Sequence, residues 1–308
     1  MHIIKDAYSK DITQQIFWFY ITMILKKKLV FVDIGELGWS LYLSGHVNWL
    51  KKNTNKKIAV FTSRHRKALF ENADEVKDIP DEFYRKYSQY SQVSFGLDGV
   101  GREELKRFFR HYLPEGRFIP GYFEFCCSWI CRAMTLFTPY KVKNKSIVGN
   151  ILVFPRCRIP MRNWSRNLPL GFYQELIATL CNEFPDRTVI AMGSKEGAYS
   201  IDLPIQNYRN FVGKDTTIQD LIDFCPACLG AVGGASAPPK ITLLQGVPTY
   251  VIGHEKERVI IKENWLHTKV GFWEIPSNGY ETFNDKDCII DIVRFLKSEG
   301  YINMKNRQ

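Results

Sequence analysis

The sequence predicts an α/β protein with two facing Rossmann-like domains and a cleft between them. The first reason is length, because 308 residues are too many for one small core and suit two domains of ordinary size. The second is order, because short apolar strands alternate with helical stretches in both halves, as in parallel sheets with crossover helices. The third is that glycines and arginines follow the predicted strands, at the edge where such sheets bind ligands.

The first half carries one strand–helix–strand unit. An apolar strand is predicted at 29–34, a glycine turn at 35–38, a helix at 39–52 and a second strand at 57–62. This order indicates a parallel pair of strands joined by a crossover helix.

The middle of the chain separates the two domains. Residues 81–121 have the pattern of polar, aromatic-rich helix and loop, and 123–137 that of a buried helix. The next stretch, 138–149, is polar, rich in lysine and carries a proline, which is typical of a linker. We therefore expect domains over 1–143 and 144–308.

The second half repeats a strand–glycine–helix unit. Strands are predicted at 150–154, 188–192, 208–212, 229–232 and 249–252, and helices at 170–184, 217–224, 239–245 and 285–297. Thr216 or Asp215 is the expected N-cap of the second helix, because both side chains accept hydrogen bonds from a helix start. The last helix is expected either within this domain or packed back on the first.

Charge and the length of the apolar segments limit the classes of partner. Lys and Arg number 42 against 32 Asp and Glu, so the formal net charge is +10. That balance suits phosphate, nucleic acid or an acidic membrane surface, and solubility alone explains it equally well. The apolar segment 16–25, closed by three lysines, has about half the length that spans a membrane. It predicts a buried first helix or an interfacial anchor, so we expect a cytoplasmic protein, with contact to the inner face of a membrane left open.

The cysteines do not follow a metal-binding pattern. Cys225 and Cys228 form one CxxC pair, without the second pair or the spaced histidines that a zinc site needs. Buried thiols in a reducing compartment are the simpler interpretation. We expect no metal and no bound cofactor.

Four arginines lie in the loop between the strand at 150–154 and the helix that follows, namely Arg156, Arg158, Arg162 and Arg166. Burial of apolar surface requires none of them. The rigid fork of a guanidinium matches phosphate oxygens, often through two bonds at once. The alternative is a solvated basic loop with surface ion pairs of little energetic weight.

A loop of small residues, 233–239, lies between another strand and its helix. Small side chains let a ligand approach the backbone, and a helix start offers N–H groups and a positive dipole end to a diphosphate. The alternative is a tight turn without a ligand. Because both loops follow strands of one sheet, they are expected to grip one diphosphate from two sides.

Acidic and basic residues follow the two strands of the first half. Glu36 stands on the glycine-flanked turn, where a carboxylate is placed to take a proton from an attacking hydroxyl. Its alternative role is that of an acid favoured by the helix dipole. Asp33, inside the strand, is the weaker candidate. His65, in the basic turn 63–66, contacts an acidic acceptor or is simply solvated.

Several stretches, in order, resemble the bacterial lipopolysaccharide heptosyltransferases, glycosyltransferase family 9, which have the GT-B fold. They are ILVFPRCRIPMRNWSRNLPLGFYQELIATL, RTVIAMGSKEG, NFVGKDTTIQDLIDFCPACLGAVGGAS and APPKITLLQGVPTYVIG, with GELGWSL and VNWLKK in the first half. The resemblance covers roughly residues 29–62 and 150–253.

This resemblance implies inverting, metal-independent transfer of a sugar from a nucleotide-diphosphate donor to an acceptor hydroxyl, in surface glycan or glycolipid synthesis. The donor is expected on the C-terminal domain and the acceptor on the N-terminal one, with Glu36 as the base. Arg166 matches the basic residue with which the family grips the phosphates, whereas Arg156 and Arg158 follow from their position alone. The residues expected to bind the donor and its phosphates are Arg156, Arg158, Arg166, Gly234, Ala235, Ser236 and Lys240. The nucleoside residues are Gly193, Lys195 and Gly213, and the acceptor residues are Gly35, Arg64 and His65.

The sequence also departs from the family pattern. The family has an aspartate after the first-turn glycine, where this chain has Trp39, and Ala235 and Lys240 stand where the family has an aspartate and a histidine. We therefore expect a donor other than ADP-heptose. A nucleotide-sugar epimerase on the same fold, a basic nucleic-acid-binding protein and a catalytically inactive sugar-binding relative are the alternatives.

Overall fold

The computed structural model describes residues 28–33, 37–79, 135–144, 150–158, 166–255, 268–276 and 283–305. The chain forms two compact units, Met1–Thr138 and Pro139–Gln308. Several predicted features lie outside the described residues: the apolar segment 16–25, the stretch 81–121, most of the helix 123–137, Gly35, Glu36 and Arg162.

The first unit contains a parallel sheet of three strands in the order β1-β2-β3. Strand β1 is Lys28–Val32, β2 is Lys57–Thr62 and β3 is Glu75–Asp78. Helix α1, Leu37–Asn53, connects β1 to β2, and a 3-10 helix, Arg64–Phe70, connects β2 to β3. The predicted parallel pair with its crossover helix is therefore confirmed.

Helix α1 also contacts and hydrogen-bonds the chain segment that precedes the second unit. Gly45 lies in the middle of the helix, where glycine costs about 1 kcal/mol relative to alanine. A Cβ there would overlap the side chain of Thr135 and press on the Phe137 ring. The main-chain N–H of Leu136 donates to the Gly45 carbonyl at 2.9 Å, and Asn48 donates to the Thr138 hydroxyl at 3.1 Å.

The second unit is built on a parallel sheet of six strands in the order β6-β5-β4-β7-β8-β9. The strands are β4 (Asn150–Phe154), β5 (Thr188–Ala191), β6 (Tyr208–Asn210), β7 (Cys228–Gly234), β8 (Thr249–Gly253) and β9 (Val270–Glu274). The helices are α2 (Leu170–Glu183), α3 (Ile218–Phe224), α4 (Ala237–Leu244) and α5 (Asp285–Lys305).

The strand order reverses between β4 and β7. After β4 the chain adds β5 and then β6 on one side, and it returns to β7 on the other side before adding β8 and β9. Phe154 at the end of β4 is in register with Gly233 near the end of β7. Ligands of open parallel sheets bind beyond the carboxyl ends of the two strands at such a reversal.

The core explains why these stretches form a sheet with packed helices. All five residues of β4 are buried, as expected for a central parallel strand. Phe172, Leu176 and Leu180 of α2 recur at intervals of four and are at most 1% exposed. Helix α5 packs on the sheet of this unit through Ile292 and Leu296, and the Tyr250 hydroxyl donates to Asp291 at 2.5 Å.

The segment 139–144 is bound to two helices of the second unit. The side-chain amide of Gln245 pairs with both main-chain polar groups of Tyr140, at 2.6 and 3.1 Å. The buried carboxylate of Asp223 accepts bonds from the main chain of Lys143 at 2.7 Å and from Asn144 at 3.1 Å. These bonds satisfy polar groups of a segment that belongs to no strand or helix.

The structure corrects three details of the predicted elements. Helix α3 begins one residue later than expected, and its N-cap is Thr217, which forms a capping box with Asp220. The last helix extends to Lys305 rather than ending near 297. Strands β3 and β9 and the 3-10 helix at 64–70 carry no strong sequence pattern and were not expected.

Candidate functional site

The two loops singled out by their arginines and their small residues come together in the second unit. They follow β4 and β7, which are neighbours at the reversal of strand order. An ideal Cβ built on Gly234 would lie 3.5 Å from Cδ of Arg156, 3.5 Å from the carbonyl oxygen of Arg166 and 3.6 Å from the hydroxyl of Tyr173. The space beside Gly234, which we call the Gly234 niche, is therefore bordered by Arg156, Arg166 and Tyr173 and has room for a methyl group without overlap.

The first part of the arginine loop is fixed by the loop that follows β5. Arg156 bridges to Ala198 in antiparallel fashion, and the N–H of Cys157 donates to the Gly197 carbonyl at 3.0 Å. The N–H of Tyr199 donates to the Pro155 carbonyl at 2.8 Å. Arg156 is only 9% exposed. The backbone that carries its guanidinium is thus rigidly placed beside Gly234.

The last part of the arginine loop reaches across to the small-residue loop. Nη1 of Arg166 donates to the main-chain oxygen of Ala235 at 3.4 Å. Arg158 and Asn167 pair at the base of the loop, with Arg158 N donating to Asn167 Oδ1 at 3.2 Å and Asn167 Nδ2 donating to Arg158 O at 2.9 Å. The structure therefore brings the ends of the arginine loop and the loop after β7 into one place.

Gly233 and Gly234 have different reasons to be glycine. A Cβ on Gly233 would lie 2.8 Å from Cβ of Phe154 on the neighbouring strand, so its absence permits the two strands to approach. A Cβ on Gly234 would make contacts at ordinary van der Waals distance. The strand packing thus requires glycine at 233 but not at 234.

The start of α4 offers fewer N–H groups than the sequence suggested. Ser236 is the N-cap with extended backbone, and its side chain makes no capping bond. Pro238 and Pro239 occupy the first turn and have no N–H to donate. The N–H of Ala235 already donates to the Ile252 carbonyl at 2.8 Å. The start of α4 therefore offers an anion few free amides. Lys240, on the same helix, is half-buried.

The three residues predicted to line the nucleoside are also close together. Gly213 has φ +73°, in the region that favours glycine, and its N–H donates to the Gly193 carbonyl at 3.0 Å. An ideal Cβ on Gly213 would lie 3.5 Å from Cβ of Lys195. Gly193 has a packing reason as well, because a Cβ there would overlap the methyl of Ala198.

Sequence reasoning missed Tyr173, Asn167 and Glu196 in this unit. Tyr173 is fully buried on α2, so the helical pattern identified it only as core. Glu196 is exposed in the turn after β5 that also carries Lys195, and the N–H of Gly197 closes this turn on the Ser194 carbonyl at 3.1 Å. The signal for Glu196 was its place after a strand, at the edge where ligands bind.

Tyr199 adds a neutral hydroxyl to this region. Burial, together with a hydrogen bond to Cys157, raises the pKa of Tyr199 to about 12. Its ring lies 6.1 Å from the ring of Tyr173, centroid to centroid. At neutral pH the phenol is therefore protonated and does not repel an anion.

The carboxyl edge of the first sheet holds a buried polar network centred on Asp33. Its two carboxylate oxygens accept hydrogen bonds from Ser40 and Thr62, both at 2.7 Å. Nη1 of Arg66 donates to the Ser40 hydroxyl at 2.9 Å and lies 3.9 Å from Asp33 Oδ1. Burial raises the pKa of Asp33, although Arg66 and both hydroxyls act in the opposite direction. A carboxylate with both oxygens engaged suits a structural role better than proton transfer.

Arg64 and His65, two of the residues predicted to contact the acceptor, lie in the 3-10 helix that also carries Arg66. Arg64 is exposed, and its Nε donates to Nε2 of the half-buried His65 at 3.2 Å. Arg66, which the sequence did not single out, is the cation that contacts the buried carboxylate.

The cysteine pair is packed as expected for structural thiols. Sγ of Cys225 donates to the Leu221 carbonyl and Sγ of Cys228 to the Phe224 carbonyl, each at 3.1 Å. Burial raises the pKa of both thiols. Among the described residues, no cluster of three or more histidine, cysteine, aspartate or glutamate side chains is placed to hold a metal ion. Within the same residues, no helix has both the length and the apolar character needed to cross a membrane.

No family model matches the chain, and no curated protein matches it. Three solved structures are similar over most of its length. They are the E. coli heptosyltransferase WaaC with ADP (TM-score 0.56, 9% identity, 87% of this chain and 99% of that one), the E. coli ADP-heptose lipopolysaccharide heptosyltransferase II (0.56, 13%, 89% and 99%) and a family 9 glycosyltransferase from Veillonella parvula (0.55, 12%, 88% and 98%).

These likenesses establish the fold and confirm the family resemblance at that level. Identities of 9–13% are too low to transfer residues or substrates. The chain has an α/β fold with parallel sheets, shared with the GT-B heptosyltransferases.

Proposed function

We propose that the protein is an inverting glycosyltransferase that moves a sugar from a nucleotide-diphosphate donor to an acceptor hydroxyl without a metal. One observation carries this proposal. The arginine loop and the loop after β7 converge on Gly234, at the reversal of strand order between β4 and β7. Parallel α/β sheets bind ligands at this position, and guanidinium groups beside a bare backbone suit a diphosphate.

The donor diphosphate is assigned to Arg156, Arg158, Arg166 and Lys240, with the main chain at 234–236. These groups stabilise the negative charge that develops on the departing diphosphate, the role that a metal ion has in other transferases. The Arg166–Ala235 bond supports this assignment because it keeps the guanidinium beside the niche.

The nucleoside is assigned to Gly193, Lys195 and Gly213. Glu196 is added to this set, because an exposed carboxylate after a strand suits the two hydroxyls of a ribose. The names of two similar structures include ADP or ADP-heptose. The loop that contains Ala235 and Lys240 departs from the family pattern, so we propose a different nucleotide sugar as donor.

The chemical step is a single displacement. The acceptor oxygen forms a bond to the anomeric carbon from the face opposite the diphosphate, and the bond from that carbon to the phosphate oxygen breaks. Glu36 takes the proton of the acceptor hydroxyl. Gly35, Arg64 and His65 are assigned to the acceptor, a glycan or glycolipid. The proposed place of work is the cytoplasm.

A thermal-shift panel of UDP-, GDP-, ADP-, CMP- and dTDP-sugars tests the donor assignment. A ligand present at a hundred times its Kd adds about 2.7 kcal/mol to the free energy of unfolding, which is easily measured. We expect one nucleotide series to stabilise the protein, and its diphosphate to do so without the sugar. A panel in which nothing shifts the transition would contradict the proposal.

Glu36→Gln tests the base with the donor identified by that panel. Loss of a general base lowers kcat by about 10²–10⁴-fold, while donor binding stays unchanged. Glu71→Gln, an exposed glutamate of the same unit, is the matched control and should retain full turnover. NMR of the anomeric proton in the product tests inversion, and turnover in EDTA tests metal independence.

A further inference from the structure

Asn167 closes the arginine loop at its base. The loop leaves β4, and Arg158 and Asn167, nine positions apart, meet outside any strand or helix. The asparagine accepts from the N–H of Arg158 at 3.2 Å and donates to its carbonyl at 2.9 Å. A side-chain amide both donates and accepts, so it serves both polar groups of a single residue.

The two residues next to Asn167 in this contact, Arg158 and Arg166, belong to the proposed phosphate site. Asn167 pairs directly with Arg158 and follows Arg166, whose side chain reaches Ala235 and whose carbonyl borders Gly234. The next residue, Leu168, is fully buried in the core of the second unit. The end of the loop is therefore anchored in the core, and the hydrogen bonds of Asn167 tie Arg158 to that anchored end.

We propose that Asn167 is a positioning residue for the nucleotide diphosphate, which acts by fixing the main chain of Arg158 next to Arg166, so that both arginines extend from an ordered part of the loop. This inference rests on the proposed function. Mobile arginines lose side-chain and loop entropy when they bind a phosphate, whereas arginines held in place beforehand lose less. The smaller loss of entropy strengthens binding of the phosphates only, and it leaves the affinity for the nucleoside unchanged.

The test compares a nucleoside diphosphate with its own nucleoside by isothermal titration calorimetry. The diphosphate is whichever of ADP, UDP, GDP, CDP and dTDP binds the unaltered chain most tightly. Its own nucleoside is the second ligand of the pair. For Asn167→Ala we expect diphosphate affinity to fall by about tenfold or more and nucleoside affinity to change by less than about twofold. A general loosening of the fold would weaken both ligands alike.

Asn207→Ala is the matched control. The amide of Asn207 also secures a loop of the second unit, by donating to the carbonyls of Cys181, Phe184 and Arg187 at 3.0–3.2 Å. It lies at the start of β6, away from the carboxyl edge. We expect the ratio of diphosphate to nucleoside affinity to remain that of the unaltered chain.

Asn167→Asp keeps the inference testable if the alanine variant does not fold. An ionised aspartate accepts from Arg158 N but repels its carbonyl, whereas a protonated one both accepts and donates, as asparagine does. Relative to the unaltered chain at the same pH, its diphosphate affinity should recover as the pH falls through about 4. An unchanged affinity ratio in both variants would overturn this inference alone, and failure of every diphosphate to bind the unaltered chain would overturn it together with the proposed function.

Discussion

Arg66 in the first unit and Arg166 in the second lie near the carboxyl edges of two parallel sheets, yet they are held differently. Arg66 contacts the buried carboxylate of Asp33, which compensates its charge. Arg166 donates to the main-chain oxygen of Ala235, which is a neutral acceptor. The first contact pairs two opposite charges, and the second holds a guanidinium against the loop that follows β7.

This difference indicates which cations of a basic protein are available for function. A net charge of +10 is a property of the whole chain and does not locate a site. The contacts of individual cations are more informative, because Arg66 lies beside a buried carboxylate and Arg166 donates to a main-chain carbonyl at the proposed phosphate site. Changing one residue at each edge should therefore affect different properties of the protein.

Arg166→Ala should have the largest effect, and it should be on turnover. Removal of one preorganised donor to the departing diphosphate lowers kcat/KM by about 10²–10³-fold, or about 2.7–4 kcal/mol in the transition state. The control is Arg209→Ala, because Arg209 also donates to two main-chain carbonyls, at 2.7 Å, but on strand β6. Steady-state kinetics should show less than about a threefold change for it, and an equal loss in both variants would remove the distinction between the two edges.

Asp33→Ala should act on stability instead. Two buried hydroxyls, Ser40 and Thr62, would lose their acceptor, and unsatisfied buried groups cost about 1–3 kcal/mol each. We expect urea unfolding to show a loss of about 2–4 kcal/mol. Asp78→Ala, which removes the exposed partner of Lys67, should cost at most about 1 kcal/mol. Equal losses would mean that the Asp33 network contributes no more than a surface ion pair.

The sequence alone predicted the elements whose pattern is purely local. Strands β2 and β4 have the predicted bounds because four consecutive apolar side chains are buried in each. Strand β3, with the sequence EVKD, was missed because three of its four residues are charged and it lies at the end of its sheet. Strand β9 was missed because its residues are only half-buried, so they show neither an apolar run nor clear alternation.

The candidate site was predictable in its residue types but not in its connections. Arg156 and Arg166 were expected at one edge because both follow β4, and both border Gly234. The bond from Arg166 to Ala235 spans 69 positions, and no periodicity reveals such a contact. The pairing of Asp33 with Arg66 was hidden for the same reason, since it depends on how α1 and the 3-10 helix pack.

The adjacent glycines of β7 allow a finer test of the second edge. Gly233→Ala should destabilise the protein by about 1–3 kcal/mol, because its Cβ would lie 2.8 Å from that of Phe154. Gly234→Ala meets neighbours at 3.5–3.6 Å and should leave the melting temperature nearly unchanged. Its methyl group would instead occupy the niche and weaken nucleotide-diphosphate binding. Unimpaired binding in a folded Gly234→Ala variant would show that no ligand approaches the backbone there.

The smallest expected effects are two pH dependences of opposite sign, one for a buried carboxylate in each unit. Burial raises the pKa of Asp33, so the folded first unit holds that proton more tightly than the unfolded chain does. Its contribution to stability is complete below the ordinary carboxyl pKa and is lost as the pH rises through the folded value. Burial also tends to raise the pKa of Asp223, but the N–H of Lys143 and the amides of Gln219 and Asn144 outweigh it and lower the pKa.

Asp223 therefore contributes stability above the ordinary carboxyl pKa and loses it as the pH falls through the folded value. Urea unfolding of the parent, Asp33→Asn and Asp223→Asn between pH 3 and pH 6 measures both terms, each limited to about 1.4 kcal/mol per pH unit. The parent's advantage over Asp33→Asn should shrink as the pH rises, and its advantage over Asp223→Asn should grow. If both advantages grew with pH, the hydrogen bonds and charge that Asp33 receives from its partners would stabilise the ionised carboxylate more than burial destabilises it. The contact between Arg66 and Asp33 would then favour the charged form of Asp33.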